Sequence, residues 1–250
     1  MAISALVQGA SQGIGLAFVK LLLAQDEFAQ VVATCRNPES AAHLQSLDSR
    51  YTDRLSIQRI DVTDDQSIQA AAASITESGN TIRLLINCAG VLHSSEGLYP
   101  EKRLRDISVQ NLEHYFRVNA IGPLLVAKYF APLMTKRGRV VIANLSARVG
   151  SIEDNRLGGW YGYRASKSAQ NMFTKTLSIE LTRTNPEIIC VGLHPGTVAT
   201  ELSTPFSKRV NPEKLFSPEG AALKLLNVIK TLTPKDTGKV FAYDGTVVPW

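Results

Sequence analysis

Cysteine is scarce in this chain. Cys35, Cys88 and Cys190 are the only three in 250 residues, far apart and without CxxC or CxxH spacing. That excludes a disulfide scaffold or a thiolate zinc site and predicts a reducing, cytoplasmic setting. Long apolar runs are missing as well: no stretch approaches the ~18 residues that span a bilayer, so no membrane association is expected. The opening residues, MAISALVQGASQG, lack the basic segment and cleavage site of a secretory signal. Charge of one sign is barely in excess, with 27 Lys+Arg against 22 Asp+Glu and a net +5. No basic stripe interleaved with aromatics accompanies it, so a nucleic-acid partner is not expected. An anionic small ligand or plain solubility remains as the meaning of the surplus. Hydrophobic residues at 44% and charged residues at 20% are ordinary for a globular chain, and residues 1–250 read as a single domain.

What is present is an alternation. Segments 3–8, 30–35, 55–60, 83–87, 139–145 and 188–194 are rich in Val, Ile and Leu without clean two-residue periodicity, as strands buried on both faces are. Helical patterns occupy 13–25, 38–46, 64–77, 111–136, 161–184 and 218–231, with Asp64 and Ser217-Pro218 as start signals. Strand and helix in turn predict an α/β fold of the Rossmann kind, a doubly wound parallel sheet with helices on both faces. The irregular stretches 92–107, 151–159 and 197–211 each follow a strand. Ligands bind such sheets beyond the C-terminal strand ends, so all three can border one cleft. Within them, 98–105 and 201–210 read as segments that gate a substrate. Trp160 and Phe206 could wall an apolar pocket or simply fill space. His93 and His114 lack spaced partners, and no metal is expected.

The run Gly9-Ala10-Ser11-Gln12-Gly13-Ile14-Gly15 directly follows the first strand and opens the first helix. Glycines there allow a tight turn and close approach of a pyrophosphate, which the helix N-terminus favours. No Gly-Lys-Ser/Thr follows, which disfavours a P-loop. Dinucleotide sites that take NAD place an acid at the end of the second strand, to hold the ribose 2′-hydroxyl. Here that strand ends Ala33-Thr34-Cys35-Arg36-Asn37, with no acid. The planar cation of Arg36 suits a 2′-phosphate instead, so the expected cofactor is NADP(H). Tyr163 and Lys167 stand four residues apart on a predicted helix, hence on one face. A neighbouring ammonium favours the phenolate, which predicts a lowered pKa for Tyr163 and a proton donor or acceptor usable near neutrality.

Taken together, these ordered motifs resemble the short-chain dehydrogenases/reductases over essentially the whole chain. Gly9, Gly13 and Gly15, with Ser11, Gln12 and Ile14 between them, match the cofactor loop, although Gln8 stands where the family commonly has Thr. Asp61-Val62 matches the pair that contacts adenine. Asn87-Cys88-Ala89-Gly90 matches the NNAG motif with Cys88 replacing its second Asn. Asn119 matches the catalytic Asn of the long helix, and Tyr163 and Lys167 match the catalytic pair. Pro195, Gly196, Thr197, Val198 and Thr200 match the segment that holds the nicotinamide carboxamide. The stretches 33–38, 192–200 and 243–250 look most similar to the sniffer/C-factor-like carbonyl reductase branch.

One departure stands out. The family commonly reads N-x-S-S-x-x-G before its active site, with the second Ser on the substrate carbonyl. This chain reads Asn144-Leu145-Ser146-Ala147-Arg148-Val149-Gly150, so Ala147 occupies that position. A hydroxyl at the carbonyl could come from Ser146, from Ser151 or from neither; Ser146 is taken as the candidate, although regular pairing points it to the other strand face. The resemblance implies reduction of a ketone or aldehyde by hydride from NADPH. Tyr163 would act as general acid, Lys167 on the ribose hydroxyls and the Tyr163 pKa, and Asn119 as holder of a relay water. It also implies a homo-oligomer. The competing reading is a dinucleotide-binding signalling or regulatory relative with little turnover, which Ala147 favours and the intact Tyr163, Lys167 and Asn119 oppose.

Overall fold

The computed structural model describes residues 3–207 and 211–250. The six expected strands form as β1 (Ile3–Gln8), β2 (Gln30–Cys35), β3 (Leu55–Arg59), β4 (Thr81–Asn87), β5 (Val140–Leu145) and β6 (Ile188–His194). Three short ones were not anticipated. β7 (Thr197–Val198) and β8 (Leu215–Phe216) pair with each other, and β9 (Val240–Ala242) extends the main sheet. The resulting seven-stranded sheet is parallel throughout, in the order β3-β2-β1-β4-β5-β6-β9.

Helices α1 (Gly13–Leu23), α2 (Ala42–Asp48), α3 (Asp65–Glu77), α4 (Val109–Phe116), α5 (Gly122–Phe130), α6 (Tyr161–Leu181) and α7 (Pro218–Thr231) cover both faces. The alternation of strand side chains decides which helix meets which face. Ala5 and Val7 of β1 pack with α1, α2 and α7, whereas Leu6 between them packs with α3 and α5. Both faces are therefore apolar, which is why the strands lack alternation. This is the doubly wound architecture expected, with every strand C-terminus on one edge.

Two helix expectations are corrected. Pro38–Ser40 is a separate 3-10 turn, and α2 begins only after Ala41, whose backbone leaves the helical region (φ −85, ψ 64). The helix expected over 111–136 starts at Val109 behind the Ser108 cap and passes into a π-helical turn at Arg117–Ile121. Pro123 has no N–H to give the Asn119 carbonyl, so a regular ladder cannot continue through this point. Past a 3-10 turn at Ala131–Leu133, Met134 bridges to Ile82.

Candidate active site

At the C-terminal end of β1 the backbone turns at Gly9 with φ 80, a left-handed value natural to glycine. A Cβ there would lie 2.6 Å from the Ala89 nitrogen, so the loops after β1 and β4 abut. One at Gly15 would collide with the Gly9 carbonyl. No side chain caps α1, and its first turn carries no acid. The N–H groups that open this helix thus meet no acid from α1 itself, which suits an anion, and the nearby Glu201 carboxylate is taken up by the Gln12 side chain at 3.0 Å. A Cβ on Gly13 would touch the Thr200 methyl at 3.3 Å, so the segment after β6, with Pro195, Gly196, Thr197 and Val198, closes the same edge.

Arg36 lies exposed just past β2. Asp61, beyond β3, accepts from the Thr63 N–H at 2.8 Å and its hydroxyl at 2.7 Å. Burial works against its charge, but these two bonds and the nearby Arg36 and Arg59 outweigh it and hold the carboxyl below the usual range.

The second half of the site gathers around the ends of β4 and β5. A Cβ on Gly90 would lie 3.4 Å from Asn119 Oδ1 and 3.8 Å from Lys167 Nζ, so both functional groups border this one residue. Asn119, in the π-helical turn, clamps the loop: it accepts from Val91 N–H at 2.8 Å and donates to the Val91 carbonyl at 2.9 Å. It also donates to Ser166 Oγ at 3.1 Å, and Ser166 donates to the Tyr163 carbonyl. Lys167 is buried and donates to the Leu145 carbonyl at 2.8 Å and to Gln170 Oε1 at 3.1 Å. Tyr163 is 7% exposed, its ring edge-on to Tyr115 and Trp160.

Electrostatics here reverse one expectation. Burial holds the Tyr163 phenol well above its ordinary value, not below it. Burial also pushes the Lys167 amine down to about 7, with Cys88 pulling weakly the other way. Withdrawal from water penalises both charged forms, and that outweighs the proximity argument. Tyr163 is therefore a protonated phenol at neutral pH. His194, half-buried at the end of β6, is pushed down to about 4, by desolvation and then by Arg148, so it is neutral.

The hydroxyl question resolves into three placements. Ser146 Oγ donates to Asn171 Oδ1 at 2.6 Å, facing α6. Ser151 Oγ donates to the Trp250 carbonyl at 3.1 Å. Ala147 instead packs in an apolar cluster with Tyr163, Trp160, Leu202 and Phe206. Phe206 and Leu202 bring the expected gating segment over the site, whereas positions 208–210 of that segment lie outside the described residues.

Sequence reasoning missed several supporting groups. Gln170, Asn171 and Thr174 lie on the inward face of α6 that also carries Tyr163 and Lys167. Polar residues three, four and seven places after Lys167 were a legible signal of a buried network. Asn87 donates to Asn144 at 2.7 Å and Asn144 to Thr174 at 2.9 Å, tying β4 and β5 to that face. Glu101, whose carboxylate accepts from Gly162 N–H at 3.1 Å, carried no local signal, because only the tertiary fold brings it to α6.

A nucleotide cradle joined to a Tyr–Lys–Asn cluster defines a class, and comparison agrees. The short chain dehydrogenase family model matches residues 4–211, and the chain belongs to that family of oxidoreductases. An uncharacterised oxidoreductase of Schizosaccharomyces pombe is 31% identical over 256 residues, covering 98% of this chain and 96% of the relative. The C-signal protein of Myxococcus xanthus is 35% identical over 170 residues, covering 68% and 93%. Among solved structures, the NADPH-bound carbonyl reductase from chicken fatty liver superposes with a TM-score of 0.87 at 33% identity, covering 99% of this chain and 94% of that one. The carbonyl reductase Sniffer of Drosophila melanogaster follows with a TM-score of 0.85 at 29% identity, covering 100% and 99%.

Proposed function

We propose that the protein is an NADPH-dependent carbonyl reductase, converting ketones or aldehydes to alcohols. The observation that carries this reading is the meeting of Lys167 and Asn119 at Gly90, on the loop that abuts the glycine turn, with Tyr163 one helical turn from Lys167. The cradle fits a dinucleotide: an uncapped helix start, glycines whose missing Cβ atoms leave the turn open, and Arg36 in place of an acid. Gly9, Ser11, Gln12, Gly13, Ile14 and Gly15 would hold the pyrophosphate side. Asp61, Val62, Asn87, Ala89 and Gly90 would hold the adenosine and ribose side, and Pro195, Gly196, Thr197, Val198 and Thr200 the carboxamide. When bound, NADPH supplies the hydride. Tyr163, protonated in its buried setting, gives its phenolic proton to the carbonyl oxygen. Lys167 holds ribose hydroxyls, and Asn119 fixes the loop at Val91 beside them and holds a relay water. These residues orient the reactants and place a proton at one atom.

NADPH oxidation by purified protein with a panel of prochiral ketones tests the reading, and no oxidation with any of them refutes it. The same assay checks Arg36. Arg36→Ala is expected to raise the KM for NADPH about tenfold or more, a charge-assisted bond being worth roughly 1.5–3 kcal/mol, and to leave the KM for NADH unchanged. Equal affinity of the wild type for NADH and NADPH would refute that role.

Ser146 stays the proposed carbonyl-side hydroxyl, because it neighbours Ala147 and bonds the α6 face that carries Tyr163. The single Ser146 O–H is given to Asn171 and would have to turn to the carbonyl, so Ser146→Ala is expected to lower kcat about tenfold, below the ~10²–10³ typical of a dedicated donor. Ser151→Ala should lower the melting temperature and leave kcat unchanged. Two fully active variants would remove both serines from the mechanism. If NADPH binds without turnover, the regulatory reading takes over, which Ala147 against Tyr163 already favours.

The thiols of Cys35, Cys88 and Cys190 are free, which supports a reducing, cytoplasmic setting. Self-association is proposed on the exposed apolar side chains of Ile121, Met172 and Ile179.

A further inference from the structure

Trp160 is the only residue other than glycine with a positive φ among the described residues, at φ 55 and ψ 43. Gly158 (φ 62) and Gly159 (φ 65) precede it, so three left-handed residues in a row lead into α6. Two of the three suit that turn. A bulky tryptophan does not, and such strain persists only where the surroundings impose it.

Here the imposing group is Glu101. Its carbonyl accepts from Trp160 N–H at 2.5 Å and its carboxylate from Gly162 N–H at 3.1 Å. At 3% exposure this side chain supplies the cap that α6 lacks in its own sequence, since Trp160 occupies the N-cap position with no side-chain bond. Arg164 secures the turn from the other side by donating to the Gly159 carbonyl at 3.0 Å.

The strained backbone presents the indole to the reaction centre. Its ring centroid lies 6.1 Å from that of Tyr163 and 5.1 Å from that of Phe206 on the gating segment. The apolar side chains clustered with these rings include Leu92, Leu98, Ala147, Val149 and Leu202, and the nearby Glu101 carboxylate is turned to the Gly162 N–H. A substrate carbonyl reaching the Tyr163 hydroxyl must therefore lodge its substituents against the indole.

We propose that Trp160 is the specificity-determining residue of the site, its bulk limiting the uncharged, apolar substituent a carbonyl compound can carry beside Tyr163, and that Glu101 is the positioning residue that holds it there. The proposal rests on the carbonyl-reduction reading and adds which residue sets the substrate's size. Trp160→Gly and Trp160→Ala open the same space, but only the first relieves the left-handed backbone.

Calorimetric melting, which needs no activity, should place the Gly variant about 2 °C or more above the Ala variant, since glycine suits both the left-handed backbone and a helix N-cap. In turnover, the ratio of kcat/KM for benzophenone to that for acetone should rise at least tenfold in both variants, chiefly through KM. Glu101→Ala should shift the ratio the same way and Glu101→Gln, which keeps an acceptor for Gly162, should restore it. A merely structural Glu101 would lower melting without moving the ratio. An unchanged ratio in the Trp160 variants, or an Ala variant that melts at or above the Gly variant, overturns the proposal. If the wild type oxidises no NADPH with either ketone, the carbonyl-reduction reading fails. The same ratio is then read from ketone Kd values by titration calorimetry with NADP+ present. Binding that is lost for both ketones, or not discriminated by Trp160, overturns the proposal there too.

Discussion

Tyr163→Phe is expected to reduce carbonyl turnover at least ~10³-fold while leaving the Kd for NADPH within about twofold, within the range for loss of a general acid. The substitution removes one oxygen and keeps the ring, so contacts with Tyr115 and Trp160 survive. Among the described residues the phenol supports no hydrogen bond that its loss would break, so the melting temperature should stay within about 2 °C. Because burial holds the phenol in its protonated form, the wild type should keep its reductive activity through the neutral range. Single-turnover measurement with preloaded NADPH isolates the step. A Phe variant that retains a tenth of the wild-type rate would show that the proton comes from elsewhere.

Lys167→Met is expected to cost at least ~10² in turnover and yet to raise thermal stability. The buried amine is held near 7 instead of its ordinary 10.5. Between those values the unfolded chain binds a proton that the folded one gives up, so wild-type stability rises with pH across this window. Below about pH 7 both states carry the proton, and the full cost of a buried charge weighs on the folded state. Loss of the bonds to the Leu145 carbonyl and Gln170 offsets part of the gain on substitution. A net gain of about 2 kcal/mol remains, or about 5 °C in melting temperature at pH 6. The advantage should shrink toward pH 10. A variant that melts below the wild type at pH 6 would show that the two bonds outweigh the desolvation. A gain here would mean that the site keeps Lys167 for function at the expense of stability.

The contrast between these residues shows what the sequence carries. β1, β2 and β6 were legible to the residue because an apolar run buried on both faces leaves little ambiguity, and the glycine turn after β1 announced itself by spacing. Tyr163 and Lys167 share a face by helical geometry alone. The direction of their pKa shifts was not legible, since it depends on how much water the fold removes. The π-helical turn around Asn119 was hidden in a continuous apolar pattern, although Pro123 marked where the ladder must fail. β9, three residues long, is a strand only because β6 offers it an edge. Glu101 is the clearest omission: a loop acid gains its role from a helix start 61 residues away.

The contact between Gln12 and Glu201 spans 189 positions of the chain. Together with Thr200 against Gly13, it closes the nucleotide edge by joining the first loop of the protein to the segment after β6. Ordering a contact of that separation costs chain entropy that only a largely assembled sheet can offset. The cradle is therefore expected to mature late in folding, after β1 has found β4 and β5 has found β6. A nucleotide would then recognise finished molecules and act as a thermodynamic lock on them rather than as a template for their folding.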